Sequence, residues 1–149
     1  MSKLVPPHGG KGLVCCLLEG KALEDELQKA KGLKQIEISS RAKGDLIMMG
    51  IGGFSPLDGF MDKANWKSVC DNMLLTDGTF WPVPITMDIS AEDAKDIKPG
   101  QEVALVRNGT IYATMKVSEC YEMTEEDKKY ECEKVFKGHG PDSEKFWEI

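Results

Sequence analysis

Glu102-Val103-Ala104-Leu105-Val106-Arg107-Asn108-Gly109-Thr110-Ile111-Tyr112-Ala113-Thr114-Met115-Lys116-Val117 decides the fold class. Asn108-Gly109 divides two strand-like runs, and Asn-Gly suits a two-residue turn whose central residues both need φ > 0. Opposing residues across such a turn have numbers summing to 217. That register pairs Val106 with Ile111, Leu105 with Tyr112 and Ala104 with Ala113. Both faces of the hairpin are apolar near the turn. An open sheet needs only one apolar face, so the pattern predicts a small closed barrel.

Helical periods flank the hairpin. Leu23, Leu27 and Ala30 at i, i+4, i+7 predict a surface helix over residues 22–30, stopped by Gly32. Ser39 or Ser40 caps a helix running through Asp45 to Met49 and halted by Gly50. Asp62 caps another, with Trp66, Val69, Cys70 and Met73 in one buried stripe. Ser90-Ala91-Glu92-Asp93 opens a short helix closed by Pro99-Gly100. Thr124-Glu125-Glu126-Asp127 opens a last helix with Cys132, Val135 and Phe136 inward, ended by Gly138-His139-Gly140-Pro141.

Further strands are expected. Leu13 to Leu18 is an apolar run of strand length ended by Gly20, and Ile36-Glu37-Ile38 alternates. Thr76-Asp77-Gly78-Thr79 reads as a second two-residue hairpin turn leading into Phe80 to Met87. Pro82 and Pro84 remove amide donors from one edge of that run, which makes it an edge strand. The class is therefore α+β: a small barrel with hairpins and several short flanking helices.

The whole has 149 residues, enough for one domain with its own core. Residues 1–12, rich in Pro and Gly, read as an arm, 13–140 as the domain, and 141–149 as the start of a connection. Ser143 to Ile149 begins an amphipathic segment that stops with Phe146, Trp147 and Ile149 uncovered, as expected of a chain that continues. No apolar run is long enough to span a membrane, and no apolar core follows Met1 to suggest a secretory leader. The reading is a cytoplasmic protein. Its net charge of −6 argues against a nucleic-acid partner.

Five cysteines, Cys15, Cys16, Cys70, Cys120 and Cys132, form no Cys-x-x-Cys pair, and His8 and His139 stand near opposite ends. Reduced thiols packed as small hydrophobes are expected, with no metal site. Gly9-Gly10-Lys11-Gly12 departs from a phosphate loop because glycine follows the lysine. Gly50-Ile51-Gly52-Gly53 departs from a dinucleotide fingerprint because Ser55 holds the third glycine position. It reads instead as a helix stop and tight turn. No catalytic, cofactor-binding or metal-ligating residue is assigned to this chain.

Three stretches carry a resemblance. Leu4-Val5-Pro6-Pro7-His8-Gly9-Gly10, then Gly50-Ile51-Gly52-Gly53-Phe54-Ser55-Pro56-Leu57-Asp58-Gly59-Phe60-Met61, then Trp81-Pro82-Val83-Pro84-Ile85-Thr86 resemble the ATP sulfurylase (sulfate adenylyltransferase) family. Ser40-Arg41-Ala42-Lys43-Gly44-Asp45-Leu46 lies among them in the family's order. The Cys15-Cys16 run and Val135-Phe136-Lys137-Gly138 look most like enzymes of sulfate-reducing bacteria. The resemblance is to the family's N-terminal PUA-like domain. It implies a structural and interface role beside a C-terminal catalytic domain that joins sulfate to the α-phosphorus of Mg-ATP, with homo-oligomerisation. That domain's Gln-x-Arg-Asn-Pro, His-x-x-His and Gly-Arg-Asp elements are absent here. Arg107-Asn108 is flanked by Val106 and Gly109, so it does not match the first of them. A PUA-like module that binds RNA or a protein partner on its own is the alternative.

Overall fold

In the computed structural model, residues 4–10 and 12–136 are described, and they form two units. The first comprises residues up to 60 together with 86–120; the second comprises 61–85 with 121 onward. The last helix's Gly-rich end and the segment at 141–149 lie outside the described residues.

The first unit is built on a three-stranded mixed sheet in the order β1-β2-β3. Strand β1 (Lys34–Glu37) runs parallel to β2 (Glu102–Arg107), which pairs antiparallel with β3 (Thr110–Lys116). Asn108 and Gly109 both take positive φ, +50° and +75°, as the turn requires. Val106 faces Ile111 as the two-residue loop dictates. Beyond that pair the expected register fails: Leu105 faces Ala113, and Ala104 faces Thr114. A β-bulge between Leu105 and Val106 leaves Tyr112 as the extra residue on β3. Tyr112 stays exposed, with the Lys43 Nζ 5.2 Å from its ring centroid. A bulge of this kind leaves no period-2 signature in the sequence.

Val103, Ala104, Leu105 and Val106 are all buried, because β2 is the middle strand and is covered on both faces. Val103 and Leu105 join Ile36, Ile38, Ala42, Ile97 and Val117 in one core cluster. Ladder hydrogen bonds among the described residues are confined to three strands and close no ring. The β1–β2 pairing continues one step further, where Ile38 N–H donates to Val106 O and the Arg107 guanidinium donates to Ile38 O at 2.7 Å.

Three helices belong to this unit. Helix α1 (Gly20–Ala30) buries only Ala30, while Leu23 and Leu27 remain partly exposed, as befits a surface helix. It is held by Glu26, which accepts from Thr114 Oγ1 at 2.6 Å, and by Lys29, paired with Glu102 at 2.9 Å. Helix α2 (Ser40–Gly50) starts at an Ser39 cap whose side chain accepts from Ala42 N–H. Helix α4 (Ala91–Lys95) starts the same way, with Ser90 accepting from Asp93 N–H.

The second unit holds α3 (Lys63–Asn72), capped by Asp62, and α5 (Glu125–Val135), capped by a reciprocal Thr124–Asp127 box. Trp66, Val69 and Cys70 are buried as the stripe predicts. Met73 is not: it ends the helix in the left-handed region (φ +55°), which turns its side chain outward. On α5 Cys132 is buried, Val135 and Phe136 are half-buried, and Glu131 is buried beside Cys132.

Two expected strands are corrected here. Leu74 bridges Phe80, but Leu75 accepts from Gly78 N–H and pairs with Thr79, so the loop has three central residues. Among the non-glycine residues described, Asp77 is not at positive φ; Gly78 alone takes that role at +85°. This is a type I turn closed by a bulged glycine rather than a two-residue turn. After Phe80 no ladder forms, because Pro82 and Pro84 withhold the donors that an edge strand would share. Nor is Leu13–Leu18 a strand: it joins no sheet, and apart from the half-buried Val14 its residues are exposed.

Candidate functional site

The residues that carry chemistry-like motifs are placed as structural parts. Gly9 sits in a turn against Pro56, whose Cγ would lie 3.0 Å from a Cβ at Gly9. The Gly50-Ile51-Gly52-Gly53 run ends α2 and turns the chain. Arg107 and Asn108 serve β2 and its turn. Among the described residues no three His, Cys, Asp or Glu side chains converge on a point that could hold a metal. His139 lies outside the described residues.

The expectation of five buried thiols is corrected. Cys70 and Cys132 are buried, while Cys15, Cys16 and Cys120 are exposed. Burial pushes the Cys70 thiol up to about 12, with Glu131 and Asp71 nearby adding to the effect, so it is inert as the stripe implied. The Cys16 thiol is also raised, first by partial burial, then by Asp58 and Cys15. On α2, burial likewise raises the Asp45 carboxyl, and Arg41 one turn earlier partly offsets this. Arg41 reaches across to Asp88 at 2.9 Å, which ties α2 to the segment after Thr86.

The most connected feature is the seat of the Leu13–Leu18 run, which extends the arm expected over 1–12 and is called the arm from here on. Cys16 N–H donates to Met49 O (3.2 Å) and Leu17 N–H to Gly50 O (3.1 Å), so the arm satisfies the open carbonyls of the last turn of α2. Val14 N–H donates to Ser55 Oγ at 2.9 Å, and Ser55 O–H donates onward to Gly52 O at 2.7 Å. Gly52 lies at φ +77°, and a Cβ there would come within 2.8 Å of Leu13 Cγ and 2.9 Å of Cys15 Sγ. Only glycine meets both demands, the backbone twist and the close approach. The Leu13–Leu17 run and the turn at Gly50–Ser55, part of one stretch singled out in the sequence, are thus one assembly.

Ser55 is the residue that sequence reasoning overlooked. In the sequence it stands only where a third glycine would complete a fingerprint, whereas its buried hydroxyl joins arm to loop. The signal available was a small hydroxyl before a proline in an otherwise apolar, glycine-rich turn.

The outer side of this assembly is apolar. Leu13, Leu17 and Ile51 are 59%, 62% and 58% exposed, and Leu18, Ile47 and Met48 are exposed beside them. Residues 12–18 and 46–57 contain no charged side chain, in a chain with 44 (19 basic plus 25 acidic).

Known proteins place the chain further. A sulfate adenylyltransferase of Desulfovibrio desulfuricans is 80% identical over the whole chain, which covers 35% of that protein. One of Desulfatibacillum aliphaticivorans is 66% identical, again over the whole chain and 36% of the relative. The chain thus spans about a third of the length of these curated relatives. A solved structure titled as a hexameric APS kinase from Thiobacillus denitrificans matches 80% of this chain and 24% of its own, with a TM-score of 0.71 and 32% identity. The sequence model of the PUA-like domain family matches residues 5–144, nearly the full length. Its strands, helices and sequence agree, and the chain belongs to the PUA-like domain family.

Proposed function

We propose that this chain is the N-terminal domain of a sulfate adenylyltransferase, acting as a structural and interface domain rather than as the catalytic centre. The observation that carries this reading is the 80% identity to such an enzyme along all 149 residues, while 65% of that enzyme (100 − 35) has no counterpart here. In the reaction, a sulfate oxygen attacks the α-phosphorus of ATP and pyrophosphate leaves, giving adenosine 5′-phosphosulfate. Such a site gathers cations and oriented amides around several phosphates. The one glycine-rich turn ahead of a lysine is a poor cradle for the phosphates of Mg-ATP: Gly9 is packed against Pro56, and glycine rather than Ser or Thr follows Lys11. The role left to the chain is to fold, present a surface and position its neighbours. The partners of that reading are its own catalytic domain and further copies of the enzyme, the latter supported by the hexameric title of the structural relative.

The test is pyrophosphate release from ATP, Mg²⁺ and sulfate or molybdate. Purified residues 1–149 should be inactive, and the longer enzyme containing them active. Turnover by the chain alone at the rate of the longer enzyme would overturn the assignment.

A further inference from the structure

We propose that the apolar face formed by the arm and the end of α2 is the seat of the catalytic part of the same polypeptide. The inference rests on the proposed function and adds to it which surface does the joining.

The face is preformed. Two backbone hydrogen bonds hold Cys16 and Leu17 beside Met49 and Gly50, and Leu13 is pressed onto Gly52. Ile47 in the last turns of α2 and Ile51 at its C-cap stand one turn apart, joined by the Ile51 N–H to Ile47 O bond. With Leu18 and Met48 they bring large exposed apolar groups from two uncharged segments far apart in sequence, with Asp58 beside Cys16 at the border. Depletion of charge with enrichment of large apolar groups is the composition of an interface core.

The size of the face selects the occupant. Six partly exposed side chains present on the order of a few hundred Å². A free-standing complex with a second copy needs roughly 800 Å² from each partner. A segment of the same chain needs less, because covalent attachment makes its docking intramolecular and raises its effective concentration. The relatives supply such a segment: about two-thirds of their length lies outside this match. Of the stretches that carry the resemblance to that enzyme family, the start of Gly50–Met61 belongs to this assembly, and Gly9 of Leu4–Gly10 lies against its Pro56.

Cys15 and Cys16 are built-in reporters, exposed within the face. The experiment measures maleimide labelling at each by peptide mass spectrometry, with glutathione in the same tube as a reference thiol. It is run on residues 1–149 and on the Desulfovibrio desulfuricans enzyme with its matching third replaced by this chain. Labelling in the whole enzyme should be at least ~10-fold slower than in the chain alone. Leu17→Asp with Ile51→Asp should restore the faster rate in the whole enzyme and leave the melting temperature of the isolated chain within ~2 °C. Equal rates in the two proteins, with pyrophosphate release intact in the whole enzyme, would overturn the docking and leave the enzyme assignment standing. Protection in the isolated chain that grows with its concentration would overturn it in favour of a second copy. Protection in a whole enzyme that releases no pyrophosphate would uphold the docking and sink the assignment instead.

Discussion

The indole N–H of Trp66 donates to the buried carboxylate of Glu131 across 2.5 Å, joining α3 to α5 in the second unit. The same two residues bring Tyr130 to 6.2 Å from the Trp66 ring, and Lys67 lies 4.0 Å over Tyr130. Glu131→Ala removes the acceptor and opens a gap beneath a fully buried indole. The expected loss is about 2–4 kcal/mol of unfolding free energy. Glu131→Gln keeps an acceptor in place and should lose less than half as much. Urea titration followed by tryptophan fluorescence reports both; equal losses would mean that the acceptor oxygen is immaterial.

The arm seat makes a local prediction. Gly52→Ala forces a side chain into a left-handed backbone and against Leu13, at a cost of about 1–3 kcal/mol. Ser55→Ala strands the Val14 amide and should cost about 1–2 kcal/mol. Both losses should be read first as faster hydrogen exchange at the Cys16 and Leu17 amides, ahead of any change in the β2 amides. Unchanged exchange at those two positions would refute the seat.

At the hairpin, Gly109→Val places a β-branched residue at φ +75° and should cost more than about 1 kcal/mol. Asn108→Gly should be tolerated, since Asn108 is already left-handed at φ +50°. Melting temperatures of the two variants distinguish them, and an unchanged value for Gly109→Val would contradict the turn.

The cysteines separate by reactivity. With its thiol held near 12, Cys70 carries about one part in ten thousand of thiolate at pH 8 and should resist Ellman's reagent until the protein unfolds. Cys15, Cys16 and Cys120 should react in the native state. Stability follows the same shift: the unfolded thiol ionises first, from the ordinary value of 9.0. The Cys70 contribution is therefore fully present below pH 9 and falls as pH rises from about 9 towards 12. Cys70→Ala should flatten that alkaline decline; an unaltered slope would show that another group governs it.

Helix starts were the most legible part of the sequence. Ser39, Asp62, Ser90 and Thr124 are caps because each side-chain oxygen can meet an amide three residues on, which is a purely local matter. The Asn108-Gly109 turn was legible for the same reason. What escaped is non-local. The bulge at Tyr112 depends on how β3 packs across β2. The exposed Leu13–Leu18 run has the composition of a core strand, and period alone does not say which apolar run stays at the surface. Ser55 and Glu131 are polar groups whose partners lie 41 and 65 residues away, beyond the reach of any motif.

The parallel pairing of β1 with β2 also orders events during synthesis. Residues 38–101 must emerge between the two strands, and they include 61–85, which belong to the other unit. At roughly 5–20 residues per second, β1 waits several seconds on the ribosome without its partner. Only β2 completes the core around Ile36 and Ile38, and β2 in turn gains its second neighbour within a few residues through the tight hairpin. Closing so long a loop before any pairing is gained slows the first unit's folding. The hairpin therefore forms first as a local template, and the nascent β1 is recruited to it last.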